Sequence, residues 1–370
     1  MAVGIASIVW GIQTYRFSFS YNNFNKDTKN IFRVLTRVEG NDNLKGYCPE
    51  YLARMAKNDF TVVKETVRWD SRGLNVKADE KDPYEALAHF TDPQFFDFFN
   101  FPLVRGTNEL SNRSTVLITQ TAAKKYFGDS DPLGKTLTFY SDESFKMPLK
   151  VTGILKDPPI NSSFQFELIT NTDNQLKADG TQIKNDDWEW FSDAVFVRLS
   201  NPTDAPGLAR DFGKYVPLQH SARQDIQLKS FFLDPFSNVL NELDIDNNSL
   251  YRRPGDSATF GPLVLAILIL LSACLNFANT SVAQSNNRLK EMGVRKVMGS
   301  SLRQIVLQQL MQCAFVVLLA VMLSVIINNF WIPTFNSMFN NLKVETNYLT
   351  DYTLLTSLGV ILVIVTLLAG

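Results

Sequence analysis

The sequence predicts a multi-pass α-helical membrane protein in which an α+β extracytoplasmic domain is inserted between transmembrane α-helices. Three observations carry this. Thr259 to Asn287 and Gln304 to Leu342 contain no charged residue, and each run exceeds the roughly 20 residues a helix needs to cross the hydrocarbon layer while satisfying its own backbone. Between them Arg288, Lys290, Arg295, Lys296 and Arg303 stand against Glu291 alone. Lys and Arg are retained on the cytoplasmic side, so this short loop faces the cytoplasm and the long segment before Thr259 lies outside. That segment alternates strand-like and helix-like runs, the pattern of a mixed α+β domain.

Composition narrows the function classes. Residues 15–258 hold 30 of the 36 Lys and Arg and 34 of the 37 Asp and Glu, a net charge of −4, which excludes a nucleic-acid surface. Cys274 and Cys313 fall in the proposed spans and Cys48 is alone in the exported segment, so no disulfide forms within that domain. His89 and His220 have no metal-ligand spacing and read as ordinary surface or packing residues.

Taken in order, residues 1–19 are apolar and uncharged up to Arg16. They lack a clear positive n-region and cleavage site and fall short of a full span, so we expect the outer end of a first span that begins upstream. Trp10 and Tyr15 suit its outer interface.

Residues 20–258 form the extracytoplasmic domain. Strands are expected at Phe32 to Val38, Val116 to Thr119, Leu149 to Ile154 and Ala194 to Leu199, and helices at Pro49 to Asn58 and Gln120 to Phe127. The phenylalanine-dense segment Thr91 to Thr107 reads as core, because Phe buries a large apolar area with no polar group to satisfy. Gly128 to Thr136, GDSDPLGKT, ends like a phosphate-binding loop. It has five residues between its glycines where four are needed, and one of them, Pro132, has no N–H to offer a phosphate. Pro158 and Pro159 fix a turn whose following Asn161 and Ser162 can bond the backbone beyond. The acids and tryptophans of Asp186 to Phe191 read as solvated acids beside buried rings.

Residues 259–284 are the second transmembrane helix and residues 285–304 a cytoplasmic loop with a helix of its own. There Glu291 and Arg295 pair at i, i+4, Gly299 ends the helix, and Ser301 with Gln304 forms a capping box opening the next one. Residues 305–328 are the third span, 329–351 a short extracytoplasmic connection, and 352–370 the start of a fourth span expected to continue in a longer chain.

The string RLKEMGVRKVMGSS resembles the signature of the MacB/FtsX-like ABC-transporter permeases, R-x-x-E-(I/M/V)-G-(I/V)-R-(K/R)-x-x-G-(A/S). Arg288, Glu291, Gly293, Val294, Arg295, Lys296 and Gly299 fit it. Tyr21, Phe24, Asn25, Ile31, Phe32, Arg33 and Val34 are similar to the segment that follows the first span in that family, with Asn22 where Asp is usual. TQTAAKKYFGDSDPLGKTL and TGILKDPPINSSFQFELI resemble recurrent pieces of its periplasmic core domain.

This resemblance implies a bacterial inner-membrane permease that lacks its own ATPase and is not an enzyme. The seven signature residues would couple to a separate ABC ATPase subunit, so ATP is bound by the partner and no cofactor by this chain. ATP-driven motion would pass through the spans to the extracytoplasmic domain and export or extract a substrate. Other implied partners are a second permease copy or homologous half, a periplasmic adaptor and membrane lipid. A second reading, implied by some relatives, is a signalling subunit that senses a ligand or activates a cell-wall hydrolase. A membrane-anchored enzyme ranks last, since residues 20–258 carry no G-x-S-x-G, H-E-x-x-H or paired Cys/His motif.

Overall fold

The computed structural model describes residues 1–78, 82–140, 146–175, 188–237, 245–251, 255–287, 294, 297–298, 301–338, 344, 346–348 and 350–369. The chain divides into two compact units, one made of Met1–Tyr21 with Arg253–Gly370, the other of Asn22–Arg252.

In chain order the elements are α1 (Ala2–Phe19), β1 (Ile31–Val38), β2 (Asn41–Lys45), β3 (Cys48–Pro49), α2 (Glu50–Asp59), β4 (Val63–Ala78), β5 (Tyr84–Thr91), α3 (Phe95–Phe98), β6 (Leu103–Gly106), β7 (Thr115–Thr119) and α4 (Gln120–Phe127). Then come β8 (Thr136–Tyr140), β9 (Met147–Leu155), β10 (Leu168–Asn171), β11 (Phe191–Ser192), β12 (Ala194–Leu199), α5 (Ala205–Asp211), α6 (Val216–Ala222), β13 (Leu228–Pro235) and β14 (Ile245–Asp246). Helices α7 (Asp256–Asn287), α8 (Leu302–Met338) and α9 (Tyr352–Ala369) follow among the described residues.

The strands of the Asn22–Arg252 unit join in a mixed sheet of order β14-β2-β1-β12-β4-β5-β10-β7-β9-β6, with β13 on β1 and β8 bridging β4 and β9. Its spine is β4, whose sixteen residues pair with β12 in their first half and with β5 and β8 in their second. Side chains alternate across a strand, so Val67 and Trp69 enter one core while Arg68 and Asp70 face away from it. The first core is aromatic. Trp69 stacks on Phe95 at 4.9 Å, Phe99 meets Phe164 at 4.5 Å and Phe236 at 5.0 Å, and Phe101 meets Phe166 at 5.0 Å. The phenylalanines of the Thr91–Thr107 stretch are therefore core, held in edge and offset contacts that add to their area burial. A second core packs α2 and α5 against β1, β12 and β13, and a third packs α4 against β7, β8 and β9.

Two segments that resemble the family, distant in sequence, meet in space. Asn22, in the left-handed region at φ 58, donates through Nδ2 to Ser163 Oγ at 2.8 Å, and its Oδ1 accepts from Ser163 N at 2.9 Å. Asn22 N donates to Asn161 O at 2.8 Å. Asn tolerates this backbone because its short side chain bonds locally, so the residue standing where the family has Asp does the tying here.

Among the described residues, the other unit is built on four helices, α1, α7, α8 and α9. Among the described residues two stretches are long and apolar enough to cross a membrane, Asp256–Ala283 and Arg303–Met338, with a shorter apolar helix at Tyr352–Leu367. A Cβ on Gly4 would stand 3.1 Å from Leu270 Cα, and one on Gly11 3.1 Å from Leu263 Cα. The glycines let the two backbones approach as small residues do between membrane helices, and the pairing of rising with falling numbers makes α1 and α7 antiparallel. Ser18 and Thr259 continue that seam, their hydroxyls 3.1 Å apart. Trp10 meets Phe335 edge-on at 4.9 Å and Asn328 Nδ2 donates to Ala6 O at 3.3 Å, so α8 runs parallel to α1. Cys313 Sγ lies 3.8 Å from Thr366 O, which brings the far end of α9 back to the beginning of α8.

One difference from the sequence reading has a clear cause. The polar pair at Asn328 marks the expected start of a connection, yet α8 continues to Met338. Asn328 is buried and spends its amide on the Ala6 carbonyl, so a polar residue is accommodated between helices instead of ending one.

Candidate functional site

The cationic segment between α7 and α8 is the candidate site. Arg288, Glu291, Gly293, Arg295, Lys296 and Gly299 lie outside the described residues, so the expected Glu291–Arg295 pairing and Gly299 stop do too. Val294 is described and exposed, and Met298 N donates to Val294 O at 3.0 Å, one turn of helix. Val297 and Met298 are 90% and 81% exposed. Apolar side chains this bare on a cationic segment are what a partner surface would cover.

The segment is joined firmly to α8. Gln304 N donates to Ser301 Oγ at 3.3 Å while Ser301 N donates to Gln304 Oε1 at 2.9 Å, the reciprocal capping box the sequence predicts. One turn on, Gln309 Nε2 donates to Ser281 Oγ at 3.1 Å, a bond between α8 and α7. Both bonds lie within two turns of the helix ends that flank the segment.

At the other end of these helices stands a pair that sequence reading missed. Arg16, in the last turn of α1, donates to Asp351 Oδ2 at 2.6 Å. Asp351 Oδ1 accepts from Thr353 N and Leu354 N, both at 3.1 Å, which caps α9.

A buried charged network sits beneath α2 in the sheet unit. Arg68 forks onto Asp92, with Nη2 at 2.6 Å from Oδ1 and Nε at 3.1 Å from Oδ2, and its Nη1 reaches Glu50 at 2.6 Å. Burial pushes the Glu50 carboxyl up, and Arg68 opposes that shift. Next on the strand, Asp70 Oδ1 accepts from Asp193 N at 2.9 Å, and Asp193 Oδ2 takes Ser71 N at 2.9 Å and Ser71 Oγ at 2.6 Å. Burial, then the like charge of Asp193, pushes Asp70 up to about 8, so it is largely protonated at neutral pH. His89 lies 4.8 Å from Trp69, and burial holds it down at about 4. Its role is packing, as is that of His220, which bonds the Leu228 carbonyl at 2.7 Å.

The segment that ends like a phosphate loop is a turn between α4 and β8. Ser130 N donates to Phe127 O, Leu133 N to Asp131 Oδ1, Gly134 N to Val151 O and Lys135 N to Pro132 O. Four N–H groups of the segment are thus already spent, three within the turn and one on β9.

Residues 1–215 match the family model of the MacB-like periplasmic core domain, and residues 263–370 that of the FtsX-like permease C-terminal domain. A periplasmic-core sheet unit in one chain with permease helices defines the class, an ABC-transporter permease. The chain belongs to the MacB/FtsX-like family of these permeases. No curated protein matches it significantly. Among solved structures, a domain of a permease protein from Porphyromonas gingivalis is 21% identical, with a TM-score of 0.45 over 59% of this chain and 93% of its own. The periplasmic region of MacB from Actinobacillus actinomycetemcomitans is 18% identical, with a TM-score of 0.40 over 57% of this chain and 90% of its own. The extracellular domain of the noncanonic ABC-type transporter YknZ from Gram-positive bacteria is 16% identical, with a TM-score of 0.40 over 54% of this chain and 100% of its own.

Proposed function

We propose that the chain is the membrane subunit of a MacB/FtsX-type ABC transporter, multi-pass in the bacterial inner membrane, with residues 22–252 exported. A separate ABC ATPase docks on Arg288 to Gly299, and a second permease copy or homologous half completes the pair. Motion started by ATP at that segment moves the exported domain, which exports or extracts a substrate outside the bilayer, with a periplasmic adaptor as a further partner.

The observation that carries this reading is the alternating direction of the four helices. With α1 directed outward, α7 returns, α8 goes out and α9 returns, so the α7–α8 segment falls on the side opposite the connections to the sheet unit. That segment is also where five basic residues meet one acid, which is the inside by the charge rule. Thr259 to Asn287 and Gln304 to Leu342 carry no charged residue that could line a polar path across the bilayer. Force, not cargo, is then what the helices conduct. The capping box at Ser301 and the Gln309–Ser281 bond supply stiff joints for it.

Reporter fusions test this reading. A fusion after Asn286 should be cytoplasmic and one within residues 150–170 exported. Finding both on one side of the membrane would refute it.

A further inference from the structure

The first turns of α8 carry a groove of about 700 Å³ lined by Gln304, Leu307, Gln308, Met311 and Phe315. These residues recur at helical spacing on the face that looks away from the bundle. On the opposite face Gln309 bonds Ser281, and Cys313 and Val317 are buried in the helical core. Leu307, Met311 and Phe315 run along it as an apolar row, with a glutamine beside each turn at Gln304, Gln308 and Gln312. Arg303 stands one helical turn before Leu307, is exposed, and makes no ion pair among the described residues. Gln304 spends its carbonyl oxygen on the capping box, which leaves its amide N–H groups as donors.

Depth follows from helix geometry, on the reading that these helices span the membrane. Cys313 is level with Thr366, fourteen residues into α9. At ~1.5 Å per residue that is roughly 21 Å from the outer end of α9. A hydrocarbon layer of ~30 Å then ends about six residues nearer the start of α8, at Leu307. Arg303 and Gln304 lie at the level of the inner headgroups, and Met311 and Phe315 lie in the acyl region.

We propose that this groove binds an anionic phospholipid of the inner leaflet, its phosphate held by Arg303 and the Gln304 amide and its acyl chain laid along Leu307, Met311 and Phe315. Charge complementarity selects this occupant. A second copy of the same face would set Arg303 against another Arg303, and an apolar partner helix would offer the cation no negative group to pair with. The surrounding sequence, with five basic residues against one acid between the two apolar runs, adds to the attraction for a negative headgroup.

The test uses the full chain in phosphatidylcholine vesicles doped with brominated phosphatidylglycerol or brominated phosphatidylcholine, and reads tryptophan quenching against the parent chain. Met311→Trp reports on the groove, and Leu323→Trp, exposed further along α8, reports on bulk lipid. Brominated phosphatidylglycerol should quench the Met311→Trp variant more strongly than brominated phosphatidylcholine, while the Leu323→Trp variant responds equally to both. Adding Arg303→Gln to Met311→Trp should cut the preference about five-fold, the factor one cation contributes at an anionic surface. Equal quenching of Met311→Trp by both lipids, or a preference that survives Arg303→Gln, overturns the proposal. So does a Met311→Trp variant that neither lipid quenches while Leu323→Trp is quenched, since a protein surface then fills the groove. If neither lipid quenches Leu323→Trp, the helix is not in the bilayer, and the membrane reading fails together with the lipid site.

Discussion

Arg16 and Asp351, 335 positions apart, form an ion pair of 2.6 Å that fastens the end of α1 to the beginning of α9. Both are partly exposed, so the charge attraction itself is worth at most about 1 kcal/mol. Asp351 has the second task of capping α9. The two contributions separate by substitution. Asp351→Asn keeps an N-cap oxygen and loses the ion pair, and it should lower the melting temperature of the detergent-solubilised chain slightly. Asp351→Ala loses both and should cost about 1 kcal/mol more. Equal melting of the two variants would show that the cap contributes nothing.

The proposed coupling role of Arg288 to Gly299 is tested by Glu291→Lys. The change keeps good helix propensity and strengthens the positive-inside bias, so insertion and expression should be unaffected. A reversed charge at an interface can cost several kcal/mol, so pull-down of the ATPase subunit, or the transport-linked part of its hydrolysis, should fall at least ten-fold. Glu109→Lys, on the sheet unit, is the control and should behave as the parent. Unchanged binding in Glu291→Lys would place the ATPase contact elsewhere.

Asp70 predicts a pH dependence of stability. Its folded pKa of about 8 lies above the usual carboxylate value, so between roughly pH 4 and pH 8 the folded chain holds a proton that the unfolded chain has released. Stability should therefore fall as pH rises through that window, by up to about 1.4 kcal/mol per unit from this group alone. Asp70→Asn keeps an acceptor for the Asp193 N–H and has no charge to bury. It should melt close to wild type at pH 4 and clearly higher at pH 8; parallel curves would refute the assignment.

His89 gives the opposite slope. It stays neutral in the fold down to about pH 4, while the unfolded chain takes up a proton near 6.5, so its contribution is lost as pH falls between those values. His89→Phe should flatten the acid side of the stability curve, as read from urea midpoints at pH 4.5 and pH 7.

Removing one partner of the Arg68 fork should be far more costly than disturbing the Arg16 pair. Asp92→Ala leaves the Arg68 guanidinium, whose side chain is only 14% exposed, short of a carboxylate, and the loss should approach the ~3–5 kcal/mol of fully buried pairs. An expression or melting loss no larger than that of Arg16→Ala would show that water reaches Arg68.

How much of the fold and the site was legible in the sequence depended on range. The Ser301–Gln304 box could be read directly, because a capping box is a local pattern whose partners stand three residues apart. The phenylalanines of the core were readable because their chemistry leaves few alternatives to burial. The Arg16–Asp351 pair was not, since neither residue has a local signature and only the packing of α1 with its neighbours brings them together. Asp70 looked like any strand carboxylate. Its altered proton affinity comes first from burial that no single strand reveals, and then from Asp193, 123 residues away. Asn328 misled for a related reason, since a polar residue in an apolar run marks either an end or an interior bond, and the deciding partner lies 322 residues back.

The seam between α1 and α7 also imposes a wait during synthesis. Ser18 leaves the ribosome 241 residues before Thr259, the residue it bonds. At ~5–20 residues per second that interval lasts about 12–50 s. Through it α1 has no α7 against which to set Gly4 and Gly11, while the whole of the sheet unit is made and has time to fold. A chain shortened by removal of residues 22–252 would close the same seam almost at once, so the order of assembly of this protein is set by the length of what lies between two helices that end up side by side.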